Sequence, residues 1–221
     1  MLEYDLDAPA EAEDGWPLIV LLHGRGSDRR DLMGLRPGLP ARSLVVSVDA
    51  PFPAAPWGYG PGFAWYRYIG DDRPDPETFL ASQEKLAEFL DDLPERLPVR
   101  PGALVLGGFS QGGTMSLGYG LRHPDRVTLV LNFSGFVPSV PSVDPRGSAA
   151  SGLRIFWGHG LHDPAIPHAL AIRGRSALEE GGARLETRDY RMGHGILPEE
   201  MSDAREWMER ELAAAAPEGE G

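Results

Sequence analysis

The 221-residue chain has no cysteine, which excludes a disulfide framework, a thiolate zinc site and a cysteine nucleophile. Lysine is nearly missing too: Lys85 is the only one among 21 basic residues, a skew that reads as genome base composition, although Arg enrichment and acidity also accompany heat or salt adaptation, and that says little about activity. Positive charge is in short supply, with 33 acidic residues and a formal net charge of -12. Such a surface repels phosphate backbones and anionic headgroups, so nucleic acid and a membrane layer are poor partners and a small neutral substrate fits better. Long apolar runs are also absent. The longest, Leu18 to Leu22, is too short to span a bilayer, and Met1-Leu2-Glu3-Tyr4-Asp5 lacks the basic flank and apolar stretch of a signal peptide. The cytoplasm is therefore the default location.

What is present is ordinary for a folded soluble chain: 42% hydrophobic and 24% charged residues. The length suits one substantial core, so residues 1–221 are expected to form a single domain, with approximately 213–221 fraying where an alanine run gives way to Pro, Glu and Gly. Apolar strand candidates alternate with stretches of helical periodicity. The strands are Pro17 to Leu22, Leu44 to Val48, Ala103 to Gly107, Thr128 to Asn132, Arg154 to Trp157 and Leu185 to Tyr190; the helices are Pro76 to Leu93, Gly112 to Arg122, Pro167 to Glu180 and Pro198 to Ala214. That alternation predicts an α/β fold, a mostly parallel sheet flanked by helices. Two connections, Asp49 to Asp75 and Ser134 to Gly152, are long enough to suggest function.

The sharpest local signal is Gly108-Phe109-Ser110-Gln111-Gly112, lying directly between a strand and a helix candidate. In that context G-x-S-x-G is a nucleophile elbow: a tight turn presents the serine hydroxyl above the sheet edge at a helix N-terminus, and flanking glycines remove Cβ atoms that would collide. A serine at neutral pH needs an imidazole to take its proton and a carboxylate to orient that imidazole. The expected chain order is Ser, acid, His. Asp163, beyond the strand at Arg154, and His194, beyond the strand at Leu185, meet it. The oxyanion donors would be the backbone N–H of Gln111 and one from His23-Gly24-Arg25-Gly26, with Arg25 favoured. His23 itself reads as scaffold. His159 and His162, three apart beside Asp163, invite a metal reading, but the surrounding Gly and Pro read as a turn and no ligand pair at helical spacing follows. No metal is expected.

Four segments carry a family resemblance: Leu22 to Gly26 with Asp31-Leu32, Gly107 to Gly113, His159-Gly160 through Asp163 to Pro167, and Tyr190 to Gly195. Together they resemble the carboxylesterase/phospholipase family of small α/β-hydrolases, which includes acyl-protein thioesterases and small bacterial carboxylesterases. The resemblance implies an α/β-hydrolase fold with helices on both faces of the sheet. It implies Ser110, Asp163 and His194 as a triad with Arg25 and Gln111 as oxyanion donors, and hydrolysis of short or medium acyl esters, thioesters or lysophospholipids without a cofactor. It also places Phe63, Trp65 and Tyr66 beside the acyl groove, where the residues alone leave sheet-edge capping and a satellite core equally open. Small members of that family are often dimers, so a homodimer is expected from the resemblance alone. Ser134 to Gly152 matches none of its patterns and is too short to insert a large cap domain. Two other readings keep the same residues: transfer of the acyl group to peroxide or another alcohol, and a binding protein that has lost catalysis. A dienelactone-type hydrolase would normally need the cysteine this chain lacks.

Overall fold

The computed structural model describes residues 2–70 and 73–215. Its centre is a seven-stranded sheet. The strands are β1 (Tyr4–Asp7), β2 (Leu18–Leu22), β3 (Leu44–Val48), β4 (Leu104–Phe109), β5 (Leu129–Phe133), β6 (Arg154–Gly160) and β7 (Arg184–Tyr190). They lie in the order β1-β3-β2-β4-β5-β6-β7. Only β1 runs antiparallel, paired with β3; the other neighbours are parallel.

The helices are α1 (Arg29–Met33), α2 (Pro76–Asp92), α3 (Gln111–Arg122), α4 (His168–Glu180) and α5 (Pro198–Ala215). The period-two geometry of the strands sends alternate side chains to opposite faces. Leu18, Val20 and Leu22 thus join a core with Phe79 and Leu86 of α2, Met115 of α3 and Leu178 of α4. Ile19 and Leu21 join a second core with Leu32 of α1 and Met201, Trp207 and Met208 of α5. The continuous apolar strands of the sequence are explained by these two covered faces. At the far edge β7 reads Arg-Leu-Glu-Thr-Arg-Asp-Tyr, a charged strand that blunts an unpaired edge.

The expected elements are found with shifted ends. β4 continues through Gly107 and Gly108 to Phe109, α3 starts one residue earlier at Gln111, β6 extends to Gly160, and Pro167 caps α4 from outside. β1 and α1 had no clear sequence signal: one is a four-residue edge strand rich in acid, the other a five-residue helix set by the Asp28 cap. The long connection before α2 holds two short ribbons, Phe52–Pro53 with Phe63–Ala64 and Tyr68–Gly70 with Arg73–Pro74. Residues 213–215 end α5, and 216–221 of the expected frayed tail lie outside the described residues. Among the described residues no helix is long and apolar enough to cross a membrane.

Candidate active site

Ser110 stands between β4 and α3 with φ 57° and ψ -113°, a left-handed conformation rare for a residue with a Cβ. The turn is held from both sides: Ser110 N–H donates to the Phe133 carbonyl at 2.8 Å, and its own carbonyl accepts from Thr114 N–H at 3.0 Å. Its glycines are sterically required. A Cβ at Gly112 would overlap the Leu22 carbonyl, and one at Gly108 would fall 2.6 Å from that same oxygen. Backbone packing therefore fixes where the serine points.

The acid and the base arrive on loops at the same edge. His194 Nε2 lies 2.9 Å from Ser110 Oγ, and His194 Nδ1 lies 2.7 Å from Asp163 Oδ2. Asp163 is buried, and its other oxygen, Oδ1, accepts from the N–H groups of Ala165 and Ile166, both at 2.8 Å. One carboxylate oxygen is thus tied to its own turn and the other left for the imidazole. The Phe109 ring lies against His194 with centroids 4.7 Å apart.

A cavity of about 920 Å³ opens over Ser110, bordered by Gly24, Arg25, Tyr68, Ile166, Leu170 and His194 among others. Gly24 abuts the nucleophile so closely that a Cβ there would lie 3.6 Å from that of Ser110. Gln111 begins α3, so its N–H has no partner within the helix. Arg25 sits on the facing loop, its guanidinium over the rings of Tyr59 and Tyr68 at 4.9 and 5.6 Å. His23 braces that loop: Nε2 accepts from Ala50 N–H at 3.0 Å while Nδ1–H donates to the Gly24 carbonyl at 2.7 Å. Burial lowers its pKa and keeps it neutral.

The aromatic triplet is placed differently from the sequence expectation. Trp65 and Tyr66 are wholly buried, and neither they nor the half-buried Phe63 border the cavity. The reason is a side chain the sequence analysis treated only as a backbone donor. The buried Gln111 carboxamide accepts from Trp65 N–H at 3.0 Å and donates to the Tyr66 carbonyl at 2.8 Å, drawing the segment into the core. Trp65 Nε1–H then donates to the His23 carbonyl at 2.9 Å, and the Ser82 hydroxyl donates to the Trp65 carbonyl. Phe63 exchanges backbone bonds with Gly26 and Ser27, bracing the Arg25 loop from outside. The aromatic of this connection that does reach the cavity is Tyr68, two residues further on. A long polar side chain next to the elbow serine, opening a helix of mostly small and apolar residues, was the available signal for the Gln111 latch.

His159 is fully buried and bonded to Ile166, whereas His162 is exposed on the turn. Among the described residues no group of three or more His, Asp or Glu is arranged to hold a metal. Below the edge Glu200, in the first turn of α5, lies against Gly158 with no exposure, and burial raises its pKa to about 8.

The model of the family described as Phospholipase/Carboxylesterase matches residues 8–212. Acyl-protein thioesterase 1 of Eremothecium gossypii is 26% identical over 94% of this chain and 93% of its own length. A probable carboxylesterase of Oryza sativa subsp. japonica is 25% identical over 91% of each. Among solved structures, the carboxylesterase of Bacillus cereus superposes with a TM-score of 0.80 at 20% identity, covering 96% of this chain and 95% of that one. The mostly parallel sheet, the covering helices and the lack of a large cap agree with that neighbour's fold. The chain belongs to the phospholipase/carboxylesterase family of α/β-hydrolases, and it is a hydrolase.

Proposed function

We propose that residues 1–221 form one catalytic domain, a serine carboxylesterase that cleaves short- to medium-chain esters, and thioesters of similar size, through Ser110, His194 and Asp163. The observation that carries this is the unbroken hydrogen-bonded line from Ser110 Oγ through both imidazole nitrogens to a buried carboxylate, ending on a serine held in a rare backbone conformation. The tautomer that fits has Nδ1–H donating to Asp163 and Nε2 free to accept the serine proton.

In the proposed reaction Ser110 Oγ attacks the ester carbonyl as its proton passes to His194 Nε2. The carbonyl oxygen becomes an oxyanion facing the N–H groups of Arg25 and Gln111, where preorganised donors are worth most. His194 then gives its proton to the leaving alcohol or thiol, leaving an acyl-enzyme. Water, deprotonated by the same nitrogen, reverses the sequence and frees the acid. Asp163 stays ionised throughout. A cavity of about 920 Å³ with both polar and apolar walls suits a small ester, and the lack of a large cap leaves it open to one.

The test is release of 4-nitrophenol from acetate, butyrate, octanoate and palmitate esters by the wild type and by Ser110→Ala. Turnover is expected to be fastest on the shorter chains and to fall by about 10⁴ or more in the variant. Equal rates for both proteins would sink the assignment.

A further inference from the structure

We propose that His159 is the residue that positions the acid of the triad, acting through Ile166 and not on the substrate. The inference rests on the reading of Ser110, His194 and Asp163 as catalytic, and it identifies what holds Asp163 in place. His159 is the penultimate residue of β6, and its side chain is entirely buried. One ring nitrogen, Nε2, lies 2.9 Å from the Ile166 carbonyl. Because a carbonyl only accepts, that nitrogen carries the proton. Ile166 in turn donates its N–H to Asp163 Oδ1 at 2.8 Å, beside the matching bond from Ala165. The residue gripped by His159 therefore grips the carboxylate, and the turn is closed by Asp163 N–H reaching the Gly160 carbonyl at 3.3 Å.

The geometry also separates His159 from the competing role of ion partner. Its Nε2 is 3.7 Å from Asp163 Oδ2, beyond hydrogen-bond distance, and its proton is committed to Ile166. Oδ2 is left to His194 Nδ1 at 2.7 Å. Burial lowers the His159 pKa and keeps the ring neutral, so no cation competes with His194 for the carboxylate. The other nitrogen, Nδ1, has no hydrogen-bond partner among the described residues. One ring position carries the function and the other carries none, an asymmetry that can be tested.

A glutamine at this position places its amide nitrogen where Nε2 now stands; an asparagine places it at Nδ1. The two substitutions are alike in polarity and loss of the ring, and they differ in whether Ile166 keeps its donor. On 4-nitrophenyl butyrate, His159→Asn is expected to lower kcat by about tenfold or more with KM little changed, because a small displacement of an orienting group costs rate and not binding. His159→Gln is expected to recover most of that loss. Proton NMR supplies a readout independent of turnover: the low-field resonance of the His194 Nδ1 proton should persist in the wild type and in His159→Gln and be lost or broadened in His159→Asn. An unchanged resonance in His159→Asn, or equal losses of kcat in both variants, would overturn the proposal. Ser110→Ala measured alongside reports on the triad itself. Retained turnover there would undo the catalytic reading, whereas the Asn and Gln spectra still decide what holds Asp163.

Discussion

The nucleophile and its acid–base partners meet at one sheet edge, yet they are held there by different forces. Ser110 is placed by exclusion: the turn between β4 and α3 leaves no room for a Cβ at Gly108 or Gly112, and the Leu22 backbone sets that limit. Asp163 and His194 are placed by attraction, through hydrogen bonds within the 163–166 turn and across to the imidazole. A steric constraint is absolute and local, so damage to it appears as lost stability. A hydrogen-bonded constraint is adjustable, so damage to it appears as lost rate in a protein that still folds. The two halves of one site should therefore fail in different ways.

The largest effect expected is on the attracted side. Asp163→Asn keeps the volume of the side chain but gives His194 Nδ1 a neutral partner and disturbs its tautomer, so kcat should fall by about 10⁴ while urea unfolding moves little. A large stability loss matching the rate loss would erase the distinction. Next comes the excluded side. Gly112→Ala forces a methyl into the Leu22 carbonyl and should cost at least about 3 kcal/mol in urea unfolding; a stable variant with merely lower turnover would contradict it.

Between the two sides stands Gln111, whose backbone N–H serves the proposed oxyanion site and whose side chain serves the core. Gln111→Met preserves bulk and the backbone donor but strands the buried Trp65 N–H and Tyr66 carbonyl, at an expected cost of about 2 to 3 kcal/mol. Loss of activity without loss of stability would mean that the carboxamide acts on substrate after all.

Glu200 gives the smallest effect and the opposite sign. Its folded pKa is raised by burial from 4.5 to about 8, so the folded state binds a proton that the unfolded state releases. The stability associated with that proton is fully present below pH 4.5 and is lost as pH rises toward 8. Glu200→Gln removes the titration, and its stability relative to wild type should grow by about 1 kcal/mol between pH 7 and 8.5. Parallel melting curves across that range would show that the carboxyl finds a charge-stabilising partner.

How much of this was legible in the sequence follows the same division. The strands of the sheet interior were readable because burial on both faces demands unbroken apolar runs such as Leu18 to Leu22. The elbow was readable because its glycines are steric necessities written at fixed spacing. Asp163 and His194 were readable only as an order along the chain; that they meet Ser110 depends on parallel pairing of β4, β5, β6 and β7, contacts long range in sequence. The aromatic stretch was legible only as a choice between a satellite core and a groove lining, for a physical reason. The family resemblance set Trp65 and Tyr66 beside the groove, and what buries them is a carboxamide 46 and 45 residues away. β1 escaped notice because only pairing with β3 makes a strand of Tyr4 to Asp7. His159 was weighed as a metal ligand and set aside, and its bond to Ile166 became visible only when the turn was folded.

The most direct test of the central claim is covalent labelling with a fluorophosphonate, followed by peptide mapping of the modified residue in the wild type and in His194→Ala. The account predicts one phosphonylated residue, Ser110, modified at a rate that drops by orders of magnitude when His194 is removed. Label on another serine, no label at all, or labelling of Ser110 that is indifferent to His194 would contradict it.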